Sequence, residues 1–395
     1  MKDTPSRILV IAPQPFFTPR GTPLSVYHRL RVMAALGYRA DLLTYPLGKD
    51  VALPGVVIHR SRGMPFIKAV RVGPSWQKLV LDFFLMFKGL AMLASGRYTC
   101  LIVHEEAVFF ALVYRVFFKD IHLVYDMHSS LPEQLKNFGS TKVRLVTLVF
   151  EWLERQAIRR ADWILTISPR LDERVRSVYP RAKTILIENS LFDPVVMLSA
   201  DGELDEEFIA WDRFAGKKIV LYAGTFEPYQ GLRLILESVG AVVEQEPGAL
   251  FVLVGGSGAQ VAEMRALARR LNISGHTVFT GILHPNTVKL FVRRADCLVS
   301  PRNRGTNTPL KIYEYLASGK PIVATRHVTH TQVLTDREAV LVEAQPQKFA
   351  QGILSVLNGS GKGVWLAEHA RSLYERAYGY ESYCSRMKEV LNDVA

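Results

Sequence analysis

Two doubly wound α/β domains, each a parallel sheet with crossover helices, are what the 395-residue sequence predicts. Three observations carry this. Short apolar runs alternate with helix-length amphipathic segments through the first half. The alternation pauses over an acidic interval that holds Asp201, Glu203, Asp205, Glu206 and Glu207, and then restarts with the same grammar. The length suits two domains, at ~100 to 200 residues each.

In order, the first strands are Arg7 to Ala12 (RILVIA), Ala40 to Tyr45, Val56 to Arg60, Cys100 to His104, His122 to Tyr125 and Trp163 to Ile167, with helical patterns between several of them. The second series is Ile219 to Tyr222, Leu250 to Val254, Thr277 to Thr280, Cys297 to Ser300, Pro321 to Ala324 and Ala339 to Val342. Helices are expected at Gly231 to Val243, Ala259 to Leu271, Asn286 to Arg294 and Leu310 to Ala317. The expected organisation is a first domain over 1–192, a linker over 193–216, a second domain over 217–362 and a helical tail over 363–395. A ligand cleft is expected between the carboxyl ends of the two sets of strands.

With 49% hydrophobic and 22% charged residues the composition is that of a globular chain able to bury large cores, not a disordered one. Cys100, Cys297 and Cys384 have no paired spacing, which excludes a disulfide framework or a cysteine-rich zinc site and points to a reducing cytosol. No secretory signal is read, because the run Ile8 to Ala12 is short and meets Pro13 and Pro15. Lys78, Asp82 and Lys88 interrupt the most apolar stretch, Trp76 to Ser95, so no spanning helix is expected.

The net charge of +12 lies in the first half, where residues 1–192 carry 27 Lys/Arg against 15 Asp/Glu, whereas the remainder balances at 22 against 22. Such a field favours an anionic membrane or acceptor, or else serves solubility. Nucleic acid is not expected, since no zinc-finger, RNP-like or helix-turn-helix pattern accompanies the charge. Trp76, Leu79, Val80, Phe83, Phe84, Phe87 and Leu90 recur at helical spacing, and Lys142 to Arg160 is amphipathic and basic. Either segment fits a bilayer surface or packs on a sheet.

Four stretches could carry chemistry. Gly21 and Thr22, beside Arg20, precede a helical pattern starting near Leu24 or Ser25, where free amides could hold a phosphate or sugar hydroxyl, or form an ordinary turn. Asp126 and His128, two apart at a strand end, would point into a cleft for acid-base or hydrogen-bonding work. Gly224 and Thr225 with Gly231, and then Gly255, Gly256 and Gly258, allow close backbone approach to a ligand or a tight crossover. The most informative stretch is SPRNRGTNTPLKIYEYLASGKPIVAT, Ser300 to Thr325, in which Pro309 opens a helix whose N-terminus is ready for an anion. Lys311 and Glu314 share a face of it, a cation for phosphate and a carboxylate for hydroxyls, or a surface ion pair. His327 and His330 have metal-compatible spacing but lack further ligands and read as loop residues. There is no Asp-x-Asp at a strand end, no H-E-x-x-H and no P-loop.

DMHSS in the first half and GTNTPLKIYEYLASGKPIVAT in the second resemble a GT-B glycosyltransferase of family four, over nearly the whole chain. The resemblance implies a central cleft, a terminal helix crossing back to the first domain, and retaining sugar transfer from a nucleotide donor without metal or other cofactor. It implies a donor in the second domain and an acceptor, a glycan or a lipid-linked one, in the first. Residue by residue, Glu314 resembles the second glutamate of the E-x7-E motif, which binds donor ribose hydroxyls. His128 resembles the histidine that contacts the transferred sugar, with Asp126 beside it. Gly21 and Thr22 fall on the N-terminal glycine loop, and Thr308, Pro309 and Leu310, preceded by Thr306 and Asn307, fall on the loop near the diphosphate. Thr306 stands where the first glutamate belongs. The family's basic pair should lie in GTFEPYQG, where Thr225 and Gln230 stand, so Arg302, Arg304 or Lys311 is the expected source of the cation. The function so implied is a retaining hexosyltransferase in cell-surface polysaccharide or glycolipid synthesis, and the charge of the first half, with Trp76 to Ser95 and Lys142 to Arg160, adds the expectation of a peripheral place on the inner face of the membrane. A non-catalytic nucleotide-sugar binding protein and a nucleotide-sugar epimerase are the alternatives.

Overall fold

The computed structural model describes residues 7–18, 21–70, 75–96, 98–133, 144–188, 214–359 and 361–395. Two compact units result, Met1–Asn189 with Tyr380–Ala395, and Ser190–Gly379. Of the expected linker, residues 193–213 lie outside the described residues, as do Arg20 and Lys142.

In the first unit β1 (Arg7–Ala12), β2 (Arg39–Thr44), β3 (Val56–Arg60), β4 (Tyr98–His104), β5 (His122–Met127), β6 (Trp163–Thr166) and β7 (Thr184–Leu186) form one sheet in the order β3-β2-β1-β4-β5-β6-β7. The pairings are parallel, joined through α1 (Gly21–Ala35), α2 (Trp76–Leu93), α3 (Ala107–Phe117), α4 (Arg144–Arg160) and α5 (Pro169–Val178). The sequence reading missed β7, which offers only three half-buried residues as a signal.

Side chains alternate across the strands. Leu9, Ile11, Leu101, Val103 and Tyr125 enter one core with Leu81 and Leu85 of α2, Ala111 and Tyr114 of α3 and Ile158 of α4. Each such burial stabilises by about 1.5–3 kcal/mol. Ile8, Val10, Ile102 and Val124 are buried on the other face.

The second unit repeats the plan with β8 (Lys218–Ala223), β9 (Ala249–Val254), β10 (Thr277–Gly281), β11 (Cys297–Ser300), β12 (Ile322–Thr325) and β13 (Val340–Val342), ordered β10-β9-β8-β11-β12-β13 and parallel. Its helices are α6 (Leu232–Gln245), α7 (Gly258–Arg270), α8 (Pro285–Arg294), α9 (Leu310–Ser318), α10 (Val328–Thr331), α11 (Pro346–Leu357) and α12 (Lys362–Leu373). Gly319 at φ 67° ends α9 in the left-handed conformation that glycine tolerates best.

The expected tail from 363 divides. Residues 363–379 stay with the second unit, because α12 packs on α9 and the Tyr313 and Tyr378 rings meet at 5.1 Å. Only α13 (Tyr380–Val394) belongs to the first unit, where it packs on α1. Trp163 Nε1 donates to Asp393 at 2.7 Å, and Arg386 to the Leu186 carbonyl at 2.8 Å. In each sheet the strand order reverses beside its first strand, at β1/β4 and at β8/β11. Ligands of such folds collect at the carboxyl ends around that point.

Candidate active site

In the second unit the β8/β11 switch point gathers most of the sequence-predicted donor residues. β8 ends at Ala223, and the amide of Gly224 just beyond it donates to the Val254 carbonyl at 3.0 Å. A Cβ on Gly255 would lie 2.0 Å from the Gly224 carbonyl oxygen, so only glycine lets the two loops meet back to back. Gly256, at φ 82°, lies against the Phe226 ring. Gln230 is buried; its Nε2 donates to Thr225 Oγ1 at 3.4 Å and its Oε1 has no partner.

Lys311 reaches this point from α9. Its Nζ is buried without a hydrogen-bond partner, 3.6 Å from the centre of the Tyr222 ring, where a Cβ on Gly224 would touch it at 2.6 Å. Burial, and then the nearby Arg302 charge, hold its pKa well below the usual lysine range. The Arg302 guanidinium lies 5.1 Å above the Tyr229 ring, and its Nε donates to the Arg304 carbonyl at 3.0 Å. Burial lowers its pKa as well. A buried amine without a hydrogen-bond partner, set near a half-buried guanidinium, makes a site that an anion would relieve.

Glu314, one turn along α9, is raised by burial, with Lys289 and then Lys311 as opposing charges. The turn before α9 is braced from α10, since Gln332 Nε2 donates to the Thr306 carbonyl at 3.1 Å and to Thr308 Oγ1 at 2.8 Å. Asn307 is half-buried. Pro309 takes the N-cap position and Leu310 begins the helix, with no side-chain cap over its amides. His330 lies in α10 rather than in a loop, whereas His327 stays in the bend before that helix. His327 Nδ1 caps α10, accepting from the Thr329 amide. His330 is buried, with Nε2 at 2.8 Å from Ser300 Oγ and Nδ1 at 2.9 Å from the Thr325 carbonyl oxygen. Burial lowers it to about 4, which leaves it a neutral brace.

In the first unit Gly21 and Thr22 form the first turn of α1, rather than a loop ahead of a helix starting near Leu24. Asp126 and His128 share a sheet face, as their spacing requires, but Asp126 is fully buried and paired instead of lining an open surface. Arg29 of α1 grips it with both edges of its guanidinium, Nε to Oδ2, and Nη2 to Oδ1 at 2.7 Å. Arg29 Nη1 also donates to the Tyr383 hydroxyl of α13 at 3.1 Å. The Arg29 guanidinium, against the cost of burial, holds the Asp126 carboxyl well below the usual range.

His104, opposite Asp126 in the β4/β5 register, brings Nδ1 to 2.9 Å from Oδ2, and His128 brings Nε2 to 3.2 Å from Oδ1. Each ring thus turns one nitrogen to the carboxylate, while the far nitrogens, His104 Nε2 and His128 Nδ1, are buried without a partner. The spacing of His104, Asp126 and His128 could admit a metal ion, but the guanidinium already engages both carboxylate oxygens.

On the sheet's other face, at the same edge, Asp82 of α2 accepts from the Tyr45 hydroxyl, and Glu106 pairs with Lys78. Glu105 turns the chain at φ 47°, a left-handed conformation rare for its type. Burial and the Glu106 carboxylate push Asp82 up to about 7. The folded state thus holds a proton there that the unfolded chain releases near pH ~3.9. Stability from this group is full below about pH 4 and falls as pH rises toward about 7. Asp82→Asn should flatten that part of the melting-temperature profile; an unchanged slope would separate Asp82 from the acidic cluster.

Residues 205–379 match the family model described as glycosyl transferases group 1, and residues 20–190 match that of the glycosyl transferase 4-like domain. The chain belongs to this glycosyltransferase family. Phosphatidyl-myo-inositol mannosyltransferase of Mycobacterium tuberculosis is 24% identical over 98% of this chain and 97% of that protein. Spore coat protein SA of Bacillus subtilis is 21% identical over 58% of this chain and 64% of its own length. The matches to it and to the putative glycosyltransferase YtcC thus span less than two thirds of those proteins. Sucrose-phosphate synthase from Thermosynechococcus elongatus superposes with TM-score 0.72 at 19% identity over 98% of both chains. Anabaena HepE, solved with UDP, gives 0.73 at 15% over 98% of this chain and 100% of that one. The fold is GT-B.

A cavity of about 590 Å3 in the second unit is lined by Lys218, Asp296, Lys320, Gly363 and Arg371 among others. Asp296 and Lys320 precede β11 and β12, which puts it at the amino edge of the sheet, opposite the switch-point loops. Sequence reasoning missed Arg29, His104, Tyr383 and Tyr222. His104 carried a signal, a polar residue closing an apolar strand as Asp126 and His128 do; Arg29 and Tyr383 are single polar residues in helices.

The α2 stripe also differs from expectation. Leu81, Leu85, Gly89 and Leu93 face the core, with Val80 and Leu90 at its margin. Trp76, Leu79, Phe83 and Phe87 are 51–71% exposed. Val116 and Phe117 of α3, and Leu148, Val149 and Trp152 of α4, are exposed on the neighbouring helices.

Proposed function

We propose that this glycosyltransferase moves a sugar, with retention and without metal, from a nucleoside-diphosphate sugar to a glycan or lipid-linked acceptor at an anionic membrane surface. The buried amine of Lys311, without a hydrogen-bond partner at the β8/β11 switch point, is the observation that carries the reading. A diphosphate seated there gains a charge-assisted partner in Lys311 and a second cation in Arg302. Glu314 takes the ribose hydroxyls. The bond from anomeric carbon to diphosphate oxygen breaks, the acceptor oxygen forms the new bond on the same face, and the acceptor proton leaves with the diphosphate. Lys311 and Arg302 stabilise the leaving charge. HepE, solved with UDP, supports a nucleotide donor.

The acceptor enters from the first unit. The carboxyl edge of its sheet holds Asp82, Glu105, Glu106 and Asp126, while Lys78 and Arg29 are spent in ion pairs. The reacting end of the acceptor is therefore uncharged. The surplus positive charge serves the membrane, where the exposed apolar side chains of α2, α3 and α4 lie beside exposed Lys119, Arg155 and Arg159. Among the described residues no helix is long and apolar enough to cross a bilayer. A cytosolic place at the inner membrane face and a role in cell-surface polysaccharide or glycolipid synthesis belong to the same proposal.

A nucleotide-sugar panel incubated with membrane extract and with soluble glycans, read by mass spectrometry, tests it. Glu314→Gln loses a charged hydrogen bond of about 1.5–3 kcal/mol and should weaken donor binding tenfold or more. Donor binding without turnover in any acceptor pool would favour a non-catalytic protein, which the threonine at 306 also fits. Unchanged donor titration by the folded variant would remove Glu314 from the site.

A further inference from the structure

Asp126 is not free to act on a substrate: both of its oxygens lie against Arg29, and the whole group is sealed from solvent. What it can do is hold other groups. Its carboxylate lies between two imidazoles from adjacent strands, and the guanidinium that grips it is itself tied to the chain's last helix. We propose that Arg29 and Tyr383 are positioning residues, fixing the Asp126 carboxylate so that it in turn fixes the rings of His104 and His128.

Three features support this. The fork of Arg29 matches the carboxylate in two parallel contacts, a geometry that a lysine could not reproduce. The Tyr383 hydroxyl takes a further guanidinium hydrogen at 3.1 Å and ties the fork to α13. The imidazoles are packed 5.6 Å apart, each with one nitrogen toward Asp126 and the other, His104 Nε2 and His128 Nδ1, buried without a partner, so a partner for the far nitrogens must come from outside this network. An acceptor hydroxyl or the transferred sugar is such a partner at His128.

The charges facing the imidazoles are Asp126 from β5, Arg29 from α1, Glu105 from the turn after β4 and each imidazole itself, with the neutral Tyr383 from α13. Burial holds His104 below the usual histidine range, and Arg29 and His128 oppose its protonation while Asp126 favours it. Removing the guanidinium therefore leaves an unbalanced carboxylate beside His104 and makes that ring easier to protonate.

The inference rests on the transferase reading only for its kinetic arm. Histidine ring resonances of the whole protein, followed against pH by NMR, test it without any substrate. In Arg29→Gln the His104 midpoint should rise by about one pH unit or more, and in Asp126→Asn it should fall. Arg29→Lys keeps the charge but loses the fork, so the midpoint should stay within about half a unit while turnover drops tenfold or more. Tyr383→Phe, the mildest change and the safeguard should the others fail to fold, should lower kcat several-fold with the donor KM unchanged. A group that only stabilised the fold would lower all variants' melting temperatures and leave the midpoints alone. Unmoved midpoints in Arg29→Gln, or wild-type kcat in both Arg29→Lys and Tyr383→Phe, would overturn the proposal. If the wild-type protein transfers no sugar, the transferase reading fails, while the NMR arm still decides this one.

Discussion

Lys311→Ala should lower turnover by about 10²–10³-fold, the range seen when one preorganised donor to a developing negative charge is removed. The amine is held at the Gly224 turn over the Tyr222 ring without a hydrogen-bond partner, so its hydrogen-bonding capacity is open to the ligand. Charge on the diphosphate grows as the sugar leaves, and the loss should fall on kcat more than on donor affinity. Binding of the uncharged nucleoside should hardly change. The depressed pKa of Lys311 adds a second readout. A diphosphate binds the protonated amine better, so binding should take up a proton, and nucleoside-diphosphate affinity should fall as pH rises through the free lysine's pKa. Calorimetry in two buffers of different ionisation enthalpy measures the proton directly. Arg302→Ala should behave likewise, and full activity in both variants would return the cation role to the GTFEPYQG loop.

The second large effect concerns the outer face of α2. Replacing Leu79, Phe83 and Phe87 together by serine removes three exposed apolar side chains, each contributing about 1.5–3 kcal/mol when fully buried. Even part of that in an interface should reduce partitioning onto anionic vesicles by roughly 10²–10³-fold. Folding should be untouched, because the core stripe of that helix is Leu81, Leu85 and Leu93. High salt should weaken the wild-type attachment by screening its basic residues over ~8–10 Å. Equal recovery on neutral and anionic vesicles, or none on either, would leave a soluble acceptor as the better reading.

Much of the second-half site was legible in the residues. Ser300 to Thr325 carries the strand end, the glycine turn, the proline before α9 and the glycine after it, and each signal acts locally, within one turn of chain. Lys311 was legible as a phosphate-binding candidate for the same reason. That it would lie over Tyr222 with no partner was not, because Tyr222 is 89 residues away and meets it only once β8 and β11 pair.

The first half shows the opposite balance. Its strands could be read from short continuous apolar runs, and the shared face of Asp126 and His128 follows from their spacing alone. The role of Asp126 could not. It is set by Arg29, 97 residues earlier, and by Tyr383, 354 residues from Arg29, and no local preference joins such positions. The two stripes of α2 make the same point, since its sequence is apolar on most sides and only packing against α3 and the sheet selects which side is inward. Sequence by itself determined most of the elements and their order, because capping, turn chemistry and apolar runs are local properties of the chain, although it left out β7 and began α1 a turn late. Which polar groups are paired, and which face is left bare, was decided only when distant elements closed over one another, because burial and pairing are properties of contacts.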